Sequence, residues 1–135
     1  MKYIKKEISL CRQVGEKHKR EIKKGDWINT EEGIELIGSP YFYLEGEKGE
    51  LHKSVGGFLL GKYLGKWFPL WTISDCLDWL NQAHSFKTQL YNTKWNWYCK
   101  TKRYEVGAKE YFARGKTALE ACLKAVLAVL EENDE

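Results

Sequence analysis

The sequence predicts an α+β protein. An antiparallel sheet is packed by an N-terminal helix, a middle helix and a C-terminal helix. Three observations carry this. Residues 113–132 hold a long apolar periodicity of helical type. The middle of the chain alternates apolar and polar residues in short runs separated by glycine-containing loops. From residue 72 onward, helical and alternating segments follow in the order α-β-β-β-α.

The C-terminal helix is the clearest element. Leu119, Cys122, Leu123, Val126, Leu127 and Leu130 recur at three- and four-residue steps. Alanines widen that stripe, so the helix is expected to press into a sheet. Thr117 is an N-cap, and Glu120 can reach back to the Thr117 amide to complete a capping box. Gly115 lets the chain turn sharply into the helix. The run Glu131-Glu132-Asn133-Asp134-Glu135 is expected to fray, because acids at a helix C-terminus oppose its dipole.

At the other end, Ile4, Ile8, Cys11, Gly15, His18 and Ile22 predict an amphipathic helix from Lys2 to Lys23, stopped at Gly25. His18 lies on its apolar side and reads as a packed histidine. Lysines and arginines cover the remaining faces. A short-strand region follows. Trp27 to Asn29 and Ile34 to Ile37 flank a first hairpin loop. Tyr41 to Glu45 and Glu50 to Val55 flank a second, with Phe42 and Leu44 facing inward and the two tyrosines outward. Phe58 to Phe68 reads as an irregular connection or a bent strand, with Gly57, Gly61 and Gly65 along it.

Thr72 to His84 reads as the middle helix, capped by Thr72 or Ser74, with Ile73, Leu77 and Leu80 inward. Phe86, Thr88 and Leu90 alternate with Lys87, Gln89 and Tyr91 in a strand. Trp95, Trp97 and Cys99 alternate with Lys94, Asn96, Tyr98 and Lys100 in a second. Tyr104 to Ala113 reads as a third, bent near Gly107. No linker interrupts this order, so the chain is expected to be one domain over 1–135. It comprises a basic helix over 1–25, a short-strand region over 26–71 and an α-β-β-β-α unit over 72–132.

Composition narrows the function classes. A chain of 135 residues is long enough to bury a core without a metal or disulfide staple. The net charge of +3 is uneven: residues 1–25 hold nine Lys or Arg against three Glu, while the rest carries 13 bases and 16 acids. Cys11, Cys76, Cys99 and Cys122 include no Cys-x-x-Cys pair and read as small core residues of a reducing compartment. The opening Met-Lys-Tyr-Ile-Lys-Lys lacks an apolar signal segment, and no apolar run reaches the roughly 18 residues of a membrane span. The expectation is a soluble, cytoplasmic protein without a membrane.

Catalytic signals are sparse. His18, His52 and His84 fall in separate elements, and no Cys/His cluster has metal-ligand spacing. No nucleophile elbow is present. Gly115-Lys116-Thr117 imitates the end of a phosphate loop, but Glu110 stands where its first glycine belongs. Glu31-Glu32 and Glu45-Gly46-Glu47 are carboxylate pairs in polar turns. No catalytic residue, metal or cofactor is predicted.

Two resemblances bear on the second half. Phe68-Pro-Leu-Trp-Thr-Ile-Ser-Asp-Cys-Leu-Asp-Trp-Leu80, a Trp-containing hairpin, and Ala113-Arg-Gly-Lys-Thr-Ala-Leu-Glu-Ala-Cys-Leu-Lys-Ala125 together resemble the small α-β-α sandwich domain of uncharacterised phage and prophage proteins. The resemblance spans Trp67 to Leu130 and implies a mobile-element origin, with no site residues to carry over. The α-β-β-β-α order is also similar to the double-stranded-RNA-binding domain, which meets RNA partly through lysines at the start of its second helix. Here the matching run is Lys116-Thr-Ala-Leu-Glu120, whose leucine and acid argue against that mode.

The function that follows is a non-catalytic protein-binding or accessory module of phage type, anchored by exposed aromatics among Tyr43, Tyr98, Tyr104 and Trp67. The alternative is nucleic-acid binding through Lys94, Tyr98, Lys100, Lys102, Arg103 and Tyr104 of the hairpin, with Lys17 and Arg20 of the N-terminal helix. The oligomeric state stays open, a homo-oligomer included.

Overall fold

The computed structural model describes residues 2–38, 41–46, 49–55, 58–83, 86–104 and 107–133. The elements run α1 (Lys5–Lys17), β1 (Trp27–Thr30), β2 (Gly33–Leu36), β3 (Phe42–Glu45), β4 (Glu50–Val55), β5 (Phe58–Lys62), β6 (Trp67–Pro69) and α2 (Ile73–Asp78), which continues as a π-helical turn, Trp79–Ala83. Then come β7 (Phe86–Asn92), β8 (Trp97–Arg103), β9 (Glu110–Gly115) and α3 (Ala118–Asn133). The fold is α+β, with three antiparallel three-stranded sheets among the described residues. His84, positions 39–40, 47–48 and 56–57, positions 105–106 of the strand expected from Tyr104 to Ala113, and positions 134–135 lie outside the described residues.

Two compact units divide the chain: Met1–His18 with Trp71–Glu135, and Lys19–Leu70. The first therefore consists of two stretches of sequence, with the second running between them. It contains α1, α2, the sheet β7-β8-β9 and α3.

In that unit α3 lies against β7, β8 and β9 and also packs on α1 and α2. Contact on several sides explains its wide apolar surface. Ala121, Cys122, Leu123, Ala125 and Val126 have no exposure at all. Burying a leucine or valine to this degree stabilises the fold by about 1.5–3 kcal/mol. The Thr117 hydroxyl accepts the Glu120 amide at 3.1 Å, as a capping residue should. The reciprocal half differs from expectation, because the Glu120 carboxylate takes the Lys116 amide in place of that of Thr117. Nor does the helix fray at Glu131. It runs to Asn133, and the Glu132 carboxylate accepts from Lys109 Nζ at 2.8 Å and from the Tyr111 hydroxyl at 2.7 Å. Those donors offset the unfavourable charge at the helix end.

Helix α1 is shorter than its periodicity suggests. Its first turn forms where the Glu7 carboxylate accepts the Ile4 amide at 2.9 Å. It stops at His18, whose backbone is extended and whose amide donates to the Val14 carbonyl at 2.8 Å. Ile22 continues the spacing on paper but packs in the core of the other unit. His18 packs beside Trp71 and Trp79, with ring centroids at 6.2 and 5.7 Å. Helix α2 is capped by Thr72, which exchanges hydrogen bonds with Asp75 at 3.1 and 2.8 Å. Its buried side chains are Cys76, Trp79 and Leu80, whereas Ile73 and Leu77 stay half-buried. The helix thus turns its buried side toward the aromatic cluster of Trp71 and His18.

The Lys19–Leu70 unit holds the other two sheets, in strand orders β2-β1-β6 and β3-β4-β5. Ile28, Ile37, Phe42 and Leu51 form its core, and Ile22, Leu44, Tyr63 and Trp67 pack against them. The stretch expected to be irregular, Phe58 to Phe68, supplies a strand to each sheet. Gly61, at φ +98°, accommodates the nearby register shift between Lys53 and Ser54. All four cysteines are buried and free. No helix among the described residues is long and apolar enough to cross a membrane.

Candidate nucleic-acid interface

The sheet β7-β8-β9 has one face against α3 and one toward solvent, and strict alternation assigns its side chains. Phe86, Thr88 and Leu90 of β7, Cys99 and Thr101 of β8, and Tyr111 and Ala113 of β9 turn toward α3. The Thr88 and Thr101 hydroxyls meet there at 2.7 Å. The outer face carries Lys87, Gln89 and Tyr91 of β7, Tyr98, Lys100 and Lys102 of β8, and Glu110, Phe112 and Arg114 of β9.

Register orders these nine residues into rows. Lys87, Lys102 and Glu110 are cross-strand neighbours, as are Gln89, Lys100 and Phe112, and Tyr91, Tyr98 and Arg114. Three aromatic rings consequently stack across the strands. Tyr91 and Tyr98 lie 5.4 Å apart at 21°, and Tyr98 and Phe112 lie 5.3 Å apart at 25°. Tyr98 sits between its two partners, while the end rings remain open, with Tyr91 41% and Phe112 57% exposed. Offset stacking explains why a sheet tolerates apolar rings on its wet side: each ring covers part of the next.

Beside the stack lies a cavity of about 170 Å³ lined by Lys87, Gln89, Lys100, Lys102 and Glu110. Lys100 Nζ is 3.6 Å from the Glu110 carboxylate. Both groups are solvent-exposed, so this pair is worth little to stability and leaves both ends free to exchange partners. Four bases and one acid on a face with open rings make it suited to an anion that also has flat apolar parts.

The structure places the sequence-predicted residues unequally. Tyr98, Lys100 and Lys102 share the outer face. Lys94 lies before β8, its ammonium 5.2 Å from the ring centre of Trp95. Arg103 is on the helix-facing side, 5.5 Å over the Phe86 ring. Tyr104 follows β8 and is 69% exposed. Lys17 is in the last turn of α1. Arg20 belongs to the other unit, where its guanidinium donates to the Leu70 carbonyl at 2.9 Å and to Asp26 at 3.2 Å. Trp95, which the alternation groups with Trp97 and Cys99 in one strand, lies before the start of β8 and is 73% exposed. The strand expected from Tyr104 to Ala113 runs from Glu110 to Gly115, beyond the positive-φ Gly107.

Sequence reasoning split β7 into two alternating sets but did not nominate Lys87, Gln89 or Tyr91 as contacts, and it missed Phe112, Arg114 and Glu110. Alternation gave each strand its two faces. Only the register could align Tyr91 and Phe112 with Tyr98.

Other chemistry-bearing groups are arranged differently. His52 lies on β4 with Nδ1 3.7 Å from Glu45 and Nε2 3.8 Å from Glu50, and its ring is 5.7 Å from Tyr43. Both carboxylates are substantially exposed and solvated. The Cys122 thiol is held protonated by its hydrogen bond with Cys99 and by burial. A thiol so held is a poor nucleophile. Among the described residues no group of three or more His, Cys, Asp or Glu is arranged to hold a metal ion. The Tyr111 phenol is pushed up to about 12 by burial, by its hydrogen bond to Glu132 and by that carboxylate's charge, with Arg103 pulling the other way.

No protein-family model, curated protein or solved structure matches this chain.

Proposed function

We propose that this protein is a non-catalytic binding module that takes single-stranded nucleic acid on the outer face of the β7-β8-β9 sheet. The observation that carries the reading is the open ring stack Tyr91–Tyr98–Phe112 set among Lys87, Lys100, Lys102 and Arg114. Bases extend such a stack at its free ends, and the ammonium and guanidinium groups meet the phosphates between them. Duplexes present their bases edge-on within grooves, so a ring stack on a sheet favours unpaired strands.

The test is fluorescence anisotropy with labelled oligothymidylate and oligouridylate, against a duplex control. Salt-sensitive binding of the single strands, weakened about tenfold or more by Phe112→Ala, supports the reading, since one stacked base contributes about 1–3 kcal/mol. Absence of binding at low salt overturns it.

A protein partner is the second reading, favoured by the exposed Trp95 indole, because exposed tryptophan is a frequent anchor of interfaces. That reading predicts that Trp95→Ala abolishes capture of the partner while Phe112→Ala does not.

A further inference from the structure

The cavity beside the ring stack has a donor and acceptor pattern of its own. Three of its five described lining residues are lysines, and these can only donate. Gln89 offers both a carbonyl and an amide. Among the described lining residues Glu110 alone is acceptor-only, and it stands across the register from Lys102 and beside Lys100. A surface built only to hold phosphates gains nothing from a carboxylate there, since the acid repels them. Stability does not explain it either, because the Lys100–Glu110 pair is exposed. A carboxylate next to an ammonium does match one kind of ligand well: a base edge with two adjacent N–H donors followed by an oxygen.

We infer that this cavity is a base-reading subsite selective for guanine in a single strand. The inference rests on the single-strand reading above. Guanine is the one common base whose pairing edge carries two neighbouring donors, N1–H and the N2 amine, and an acceptor, O6. The Glu110 carboxylate takes the two donors in a bidentate pair, and Lys100 donates to O6. Phe112 is the cross-strand neighbour of Lys100, so a base in the cavity lies beside the open end of the ring stack. The other bases each leave part of this pattern unmet. Adenine and cytosine offer the carboxylate only an exocyclic amine, and uracil or thymine offers only one N–H. The discrimination comes from how many of the carboxylate's and ammonium's hydrogen bonds each base can satisfy at once.

The experiment uses the full chain and oligothymidylates carrying one central deoxyguanosine, deoxyinosine, deoxyadenosine or deoxycytidine, read by anisotropy. The expected result is about tenfold or stronger preference for the deoxyguanosine strand over the adenosine and cytidine strands, the scale of one bidentate base contact. Deoxyinosine, which lacks the N2 amine, should lose most of that preference. Glu110→Gln should bring the affinity ratio of the guanosine strand to plain oligothymidylate close to one, because a carboxamide presents one acceptor and one donor. Equal affinity for all four strands overturns the guanine assignment while leaving the stacking face in place. Failure of every strand to bind overturns the single-strand reading itself, and the guanine subsite with it.

Discussion

The Thr117 hydroxyl donates to the Glu7 carboxylate at 2.6 Å, joining residues 110 positions apart. Each residue also serves its own helix. Glu7 accepts the Ile4 amide at the start of α1, and Thr117 accepts the Glu120 amide at the start of α3. One hydrogen bond therefore ties two helix N-termini together, at a carboxylate that is only 6% exposed. Negative charge is favourable at both ends, because each presents unsatisfied amides.

Replacing Thr117 with Val should remove both the cap and the tie. The cap alone contributes about 1 kcal/mol, and a hydrogen bond to a charged group about 1.5–3 kcal/mol. Glu7→Ala should destabilise by a similar amount. In urea denaturation the double variant should lose less than the two single losses combined, since both remove the same bond. Strict additivity would place the two residues in separate roles.

Trp95→Ala should leave the melting temperature within about 2 °C of the parent, because surface changes usually stay within about 0.5 kcal/mol. Leu123→Ala, at a position with no exposure, should destabilise by about 2–5 kcal/mol. A large loss at Trp95 would mean that its indole is covered in solution.

Alkaline pH should reveal the Tyr111 environment. Its folded value of about 12 lies above the ordinary value of 10, so the folded state holds the phenol proton more tightly. That contribution is fully present below pH 10 and is lost as pH rises toward 12. Tyr111→Phe should therefore lose less stability across that window than the parent. Matching losses, followed by circular dichroism, would count against a raised phenol.

Replacing Lys87, Lys100 and Lys102 together with Gln should flatten the salt dependence of oligothymidylate binding by about two units of slope, at about 0.7 per neutralised phosphate. Arg20→Gln should leave the slope as it is, because that guanidinium is engaged by Leu70 and Asp26. If the triple variant keeps the parent slope, the phosphates lie elsewhere.

What could be read from the sequence was whatever neighbouring residues decide. The Thr117 cap, the wide stripe of α3, the Thr72 cap and the two-residue alternation of β7 all depend on spacings of two to four residues, over which backbone geometry is fixed. The end of α1 was not of this kind. Ile22 fits the helical period, yet it packs with Ile28 and Phe42 in the other unit, and apolar burial has no directional preference that a spacing could reveal. The C-terminus of α3 likewise depends on Lys109 and Tyr111, more than twenty residues upstream of Glu132.

The candidate site divides along the same line. By itself the sequence determined that Tyr98, Lys100 and Lys102 share one strand face, because side chains alternate every second residue. Only the tertiary structure decided that Tyr91 and Phe112 flank Tyr98, that Glu110 enters the lysine-lined cavity, and that Arg20 is occupied far from it in the chain. Strand register and helix docking make those choices, and both are set by long-range hydrogen bonds and apolar contacts that no local spacing encodes.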